Sequence, residues 1–218
     1  MVGATFALTL SETTSKSNLT ILVVEATAQF AKDSTEGNFD SRSTALSFGS
    51  KEILGESSVW LDLCKNAEAI RSINVSDKGR LGTTTISSEE QNVEALGFVI
   101  ENKDLGLTLQ NRLTASPKIH FLVSANIKGV TPQANGMSLR VGRGESDWVV
   151  ASTLLVLADG GRSPVCRDLG ISNINHAYNQ HAIVSNVAFE KAHEGVAFER
   201  FTDTVSYTHL TLPTICSV

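Results

Sequence analysis

Hydrophobic and polar positions divide the chain into short elements of changing period. Gly3 to Leu10 reads as the start of a helix rich in small and apolar residues, and a polar break runs from Ser11 to Asn18. Leu19 to Val24 is then a compact apolar run closed by Glu25, the pattern of a buried parallel strand. A helix followed by a buried strand is half of a βαβ unit, so a first strand is expected ahead of Met1. On that expectation Met1 is an internal residue of a longer gene product. The alternative is a true start and a different fold.

Thr27 to Asp40 is polar and holds a glycine, hence loop. Ser43 to Asn66 carries apolar residues at helical spacing, interrupted near Gly55, which predicts two short helices. From Ile70 to Ile100 the pattern changes to alternation around Ile73-Asn74-Val75, a Lys78-Gly79 turn and a Thr83–Ile86 strand, all antiparallel in character. Leu105, Leu109 and Leu113 repeat every four residues and place one apolar stripe on a helix. A strand over Ile119–Ser124 and another around Val130 follow. Asn135-Gly136 signals a hairpin, Met137–Val141 returns, Gly142–Gly144 turns again, and Trp148–Leu157 closes a three-stranded meander. That last strand ends in Ala158-Asp159-Gly160. Ser163–Leu169 reads as a short helix and Ala182–Phe189 as a further strand.

Charge removes one class of partner. The net charge of −5, without a cluster of Lys and Arg, argues against nucleic acid. Apolar runs such as Leu154–Ala158 are far too short to span a bilayer, and no signal-peptide pattern is visible. Cys64, Cys166 and Cys216 show neither metal-ligand spacing nor a disulfide pattern, so no metal site is expected. Asn18-Leu19-Thr20 and Asn74-Val75-Ser76 match the glycosylation pattern by chance. The end of the chain reads differently from the rest. The string from Val205 to Thr214 can be encoded in frame by a laboratory sequencing adapter, so residues 204–218 are expected to be non-native read-through and to add no compensating contact.

Three places carry candidate chemistry. Gly3 opens a helix and Glu25 closes the next strand; a dinucleotide-binding unit uses such a glycine for close packing and such an acid for ribose hydroxyls. An ordinary packing glycine and a solvated strand-end carboxylate fit the same residues. Asp40-Ser41-Arg42 lies in the loop after that unit, where Arg42 could grip a pyrophosphate or simply form a surface pair with Asp40. Asp159-Gly160 follows a buried strand, with Ser163 placed to cap the next helix. A carboxylate at the carboxyl end of a parallel strand is where doubly wound folds place ligand contacts.

Longer strings point to a family. They are Phe39-Asp40-Ser41-Arg42-Ser43-Thr44-Ala45-Leu46, Val75-Ser76-Asp77-Lys78-Gly79, Ala95-Leu96-Gly97-Phe98-Val99-Ile100-Glu101-Asn102, Ala158-Asp159-Gly160, and His193-Glu194-Gly195-Val196-Ala197-Phe198-Glu199-Arg200-Phe201-Thr202. Through them the chain, from Met1 to about Asp203, resembles the flavoprotein aromatic hydroxylases that share the fold of 4-hydroxybenzoate hydroxylase. Within these it is most similar to the 2-polyprenyl-6-methoxyphenol hydroxylases of ubiquinone biosynthesis. The resemblance implies an α/β fold: a Rossmann-like FAD-binding domain lacking its first strand, with a β-meander, interleaved with an antiparallel-sheet substrate domain. The implied segments are 1–68 and 101–172 for FAD binding, 69–100 and 173–203 for substrate, and 204–218 for the tail.

The implied cofactor is FAD, with NAD(P)H as co-substrate and O2 as the source of the oxygen atom placed on a polyprenyl phenol ring. The implied cofactor-binding residues are Gly3, Glu25, Arg42, Asn102, Asp159 and Gly160. Asn102 departs from the Arg or Gln of many relatives. No catalytic acid or base is assigned; His176, His181 and His193 read as structural. The implied location is cytoplasmic, with docking at the inner face of the membrane beside other ubiquinone-biosynthesis proteins. The Val75-Ser76-Asp77 and Ala95-Leu96-Gly97 stretches favour this member over its sister hydroxylases, whereas the Glu199-Arg200-Phe201 string is shared across the ubiquinone group; a sister hydroxylase acting at another ring position is the alternative. Two rivals stand outside that reading, an NAD-dependent dehydrogenase and a β-rich binding module without cofactor. The first would show more alternating β and α units after Glu25. The genomic sequence flanking this chain is expected to supply a strand ending in two glycines upstream and a Gly-Asp motif downstream. An in-frame stop codon and a ribosome-binding site directly before Met1 would sink that expectation. As given, the chain is expected to hold FAD poorly and to hydroxylate nothing.

Overall fold

The computed structural model describes residues 1–14, 18–27, 42–160, 163–172, 174, 176, 190, 192–202 and 206–209. The expected strand at Ala182–Phe189, the side chains of Asp40, Ser41, His181 and Cys216, and the Gly161-Arg162 pair lie outside the described residues. The chain divides into two compact units, Met1–Lys32 with Leu109–Ala182, and Asp33–Thr108 with Ile183–Val218.

The first unit begins as its sequence pattern predicts. The alanine- and leucine-bearing start forms helix α1 (Val2–Thr13), with Ala7, Leu8 and Ser11 buried. Strand β1 (Ile21–Glu25) follows and pairs in parallel with β7 (Ile119–Val123), Ile21 opposite Ile119 and Glu25 opposite Val123. The parallel arrangement agrees with the sequence; the full burial does not. Residues of β1 are half-buried or exposed, because this sheet has two strands among the described residues. Next comes a meander of β8 (Asn126–Gln133), β9 (Gly136–Arg143) and β10 (Ser146–Ser152). Ala125, Leu139 and Val141 form its buried centre, with Val24, Leu122 and Leu155 packed on them. Helix α5 (Pro164–Asp168) closes the described part of the unit, capped as expected by Ser163, whose Oγ accepts the Val165 N–H at 3.1 Å.

Two sequence expectations fail in the meander. Gly142 lies inside β9, and the turn falls at residues 144–145. The final strand stops at Ser152 rather than Leu157. Residues 154–158 form no ladder, and Leu154 and Val156 stand 74% and 50% exposed. An apolar run becomes a strand only where another backbone supplies its hydrogen bonds.

The second unit has two sheets. In the first, β6 (Gly97–Glu101) lies between β2 (Ser43–Ser47) and β3 (Glu68–Ile70), antiparallel to both. Ser43–Ser47 is thus a strand, not the start of a helix; the two short helices come after it as α2 (Phe48–Glu56) and α3 (Val59–Leu63). One face of β6 meets these helices, with Trp60 edge-on to Phe98 at a centroid distance of 4.6 Å. The other face carries Val99, buried with Ile70 and with Ala197 of the second sheet. That sheet runs β12 (Ser206–His209), β11 (Val196–Phe201), β4 (Ser72–Asp77), β5 (Thr83–Ser87). Here β4 and β5 pair antiparallel as the sequence predicts, while β11 pairs in parallel with β4. Residues 206–209, expected to add no contact, instead form an antiparallel ladder with β11 from Phe198 opposite His209 to Phe201 opposite Ser206. The amphipathic helix α4 (Asn102–Ala115) buries Leu105, Leu109 and Leu113, the stripe its spacing predicts.

Gly97 admits no side chain. A Cβ there would stand 2.5 Å from the Leu46 carbonyl oxygen of the paired strand, whereas at Gly55 in α2 nothing lies within 4 Å. Gly97→Ala is expected to cost about 1–3 kcal/mol, lowering Tm by roughly 2–12 °C, while Gly55→Ala raises it through helix propensity worth up to about 1 kcal/mol. Equal melting curves for the two variants would contradict this packing.

Glu101 ends β6 in a partly buried place. Burial foremost, and then the Asp104 carboxylate, hold its carboxyl above the ordinary value of 4.5, against the opposing pull of Lys103. The fold therefore favours the protonated form. The associated stability is full below the ordinary carboxylate range and is lost as pH rises through the raised value. Glu101→Gln is expected to raise Tm at pH 7 and to change it little below about pH 4. An equal shift at both pH values would rule out the carboxylate charge as the cause.

Candidate functional site

Lys118 ties the carboxyl end of α1 to the start of β1, its Nζ donating to the Thr14 carbonyl and its own carbonyl accepting the Ile21 N–H, which leaves the amino end of the helix and the carboxyl end of the strand toward the other end of the first unit. Gly3 packs against the chain beyond β10: a Cβ on Gly3 would meet the Ala158 Cβ at 3.0 Å. The glycine thus serves close packing, as its sequence position suggests, but against the stretch leading into Asp159. Asp159 is exposed in a bend, and Gly160 adopts φ +82°, a left-handed turn that favours glycine. The expectation that Asp159 ends a buried strand is corrected by the unpaired 154–158 stretch described above. Its place beside the start of α1 does not depend on that strand.

Glu25 is exposed at the end of β1. Its Oε1 accepts the Thr27 N–H at 2.9 Å, and its backbone carbonyl accepts the Ala125 N–H at 3.1 Å. The Ser124 N–H donates to the Thr27 carbonyl at 3.3 Å, so the loops after β1 and β7 are tied together around this carboxylate. Ser124 itself takes φ +54°, a conformation uncommon outside glycine. One carboxylate oxygen is held by the loop, and the remaining lone pairs can accept from hydroxyl groups.

These features suit the adenosine diphosphate part of FAD. Helix α1 has no acidic residue in its first turn and no side-chain cap on its opening N–H groups, which leaves donors and a positive dipole end for a pyrophosphate. The Glu25 carboxylate offers acceptors for ribose hydroxyls at the same end of the unit.

Arg42 and Asn102 belong to the second unit, and there the fold makes them neighbours. The Asn102 N–H donates to the Arg42 carbonyl at 2.8 Å, extending the β2–β6 ladder by one pair. The Thr44 hydroxyl donates to Asn102 Oδ1 at 2.5 Å. Arg42 is exposed and Asn102 half-buried at the first turn of α4. Sequence reasoning singled out neither Thr44 nor the Ser124-Ala125 turn. Each acts through a partner distant along the chain, and no local spacing marks it.

His193 Nδ1 accepts the Gly195 N–H at 3.1 Å inside the turn that leads into β11. Cys64 and Cys166 are free thiols. Among the described residues, no helix is long and apolar enough to cross a membrane.

No family model matches the chain. It is 28% identical over 214 residues to the ubiquinone hydroxylase UbiL of Rhodospirillum rubrum, an alignment covering 98% of this chain and 47% of that protein. It is 26% identical over 214 residues to the mitochondrial ubiquinone biosynthesis monooxygenase COQ6 of Mus musculus, covering 92% of this chain and 44% of the relative. The chain thus spans about half the length of the curated relatives it matches. Among solved structures, p-nitrophenol 4-monooxygenase PnpA from Pseudomonas putida superposes with a TM-score of 0.62 at 13% identity, over 78% of this chain and 41% of that one. The flavin-dependent monooxygenase PieE, solved in complex with FAD and substrate, gives 0.60 at 17% identity, over 77% and 30%. The chain is therefore homologous to the ubiquinone-biosynthesis monooxygenases and carries the fold of the flavin-dependent monooxygenases.

Proposed function

We propose that this chain is part of an FAD-dependent monooxygenase that hydroxylates the aromatic ring of a polyprenyl phenol in ubiquinone biosynthesis, with NAD(P)H as reductant and O2 as the oxygen donor. The observation that carries the reading is the meeting of Gly3 with Ala158, which sets the open start of α1 beside Asp159 and at the same end as Glu25. The likeness to UbiL and COQ6 over nearly the whole chain supports the pathway.

On this reading Gly3 lets the pyrophosphate approach the α1 N–H groups, Glu25 accepts from the adenosine ribose, and Asp159-Gly160 contributes a second cofactor contact. Arg42 and Asn102 supply cationic and amide donors from their own unit. Bound FAD would supply the redox chemistry; these residues bind and orient it. The first unit corresponds to the cofactor-binding part, and the β11–β4–β5 sheet to the substrate part. A sister hydroxylase acting at another ring position has the same cofactor residues. The substrate ring would separate the two.

Glu25→Ala in the full-length gene product tests the assignment. Losing hydrogen bonds to a charged acceptor is worth about 1.5–3 kcal/mol, so FAD affinity is expected to fall roughly ten- to a hundredfold while the fold stays intact. Flavin fluorescence titration measures the first and circular dichroism the second. Unchanged flavin retention on dialysis would remove Glu25 from the site.

A further inference from the structure

We infer that Thr44 is a positioning residue: it fixes the Asn102 amide so that this side chain presents its Nδ2 donors toward a bound ligand. The inference rests on the cofactor reading above and deepens it.

An asparagine amide can present either its oxygen or its nitrogen to a neighbour, so which end faces Thr44 decides what the other end can bind. In the structure the Thr44 hydroxyl meets Oδ1 and donates its one proton there. Asn102 is then held at two places, its N–H on the Arg42 carbonyl and its Oδ1 on Thr44. With Oδ1 engaged, Nδ2 and its two N–H groups are turned away from Thr44.

The sequence supports that rigidity. Thr44 lies in β2 opposite Ile100, and its β-branched side chain has few χ1 choices on a strand. Ladder pairing from Ser43–Glu101 to Ser47–Gly97 sets where the hydroxyl stands, so two residues 58 positions apart are brought together by register. A fixed amide that presents its Nδ2 donors favours ligand atoms that accept: phosphate oxygens, ring carbonyls or unprotonated ring nitrogens. A flavin nucleotide presents all three. A freely turning amide would lose that selectivity and would have to be ordered on binding.

The test uses Thr44→Val, which keeps the shape and removes the hydroxyl, and Thr44→Ser, which keeps the hydroxyl. In 15N-edited spectra of the 218-residue chain, the Asn102 side-chain amide pair is expected to move and average in Thr44→Val and to stay near its original position in Thr44→Ser. In the full-length gene product, FAD affinity is expected to fall about three- to tenfold in Thr44→Val and to be restored in Thr44→Ser. In an Asn102→Ala background, Thr44→Val is expected to have no further effect, since its influence passes through the amide. Additive losses would show that Thr44 acts independently of Asn102 and would overturn the inference, as would an Asn102 resonance indifferent to Thr44→Val. If the full-length protein takes FAD and Thr44→Val takes it equally well, the inference alone falls. If the full-length protein takes no FAD, the cofactor reading falls first and this inference with it.

Discussion

How near a helix can come to the chain beyond it governs the end of the first unit where α1 begins. A hydrogen in place of a side chain at position 3 lets α1 settle against Ala158, where even one carbon would sit at 3.0 Å. From that approach follows the placing of the α1 opening turn, which no side chain caps, beside Asp159. Tertiary packing rather than helix propensity sets the geometry, as expected for a helix of only three turns. The glycine at position 3 is therefore worth more as an absence of atoms than as a flexible joint.

Strand register plays the matching part in the second unit. The β2–β6 pairing brings Arg42 and Asn102 together and holds the amide through Thr44. A slip of one residue would turn Thr44 to the opposite face and Val99 away from Ile70 and Ala197, so burial of Val99 guards the polar contact at the end of the ladder. Hydrophobic pairing and the polar contact are coupled here through two faces of one strand.

Legibility followed the range of the interactions. Helix α4 could be read from three leucines, because its period and its buried stripe are properties of one segment. The Ser163 cap and the β4–β5 hairpin were equally local. Ser43–Ser47 was misread, since two apolar residues among three polar ones suit either period and the choice was made by β6, more than fifty positions away. The 154–158 stretch failed in the opposite sense: its apolar residues promised a strand, but strands need a neighbour and composition cannot provide one. At the site, Glu25 and Gly3 were visible as a spacing. Thr44 was not, because a serine- and threonine-rich run gives no sign of which hydroxyl will meet an amide.

The parallel pairing of β11 with β4 sets Val196 beside Ser72 and Phe201 beside Asp77. During synthesis the ribosome releases β4 and β5 as a hairpin long before β11 exists. Until then, the β4 edge and the core around Val99 lack the strand that contributes Ala197. Closing so long a loop is slow, and the waiting hairpin shows unpaired backbone to any other chain nearby. The strand that covers the β4 edge thus emerges late, which makes the pace of translation through the unit's second half a determinant of yield.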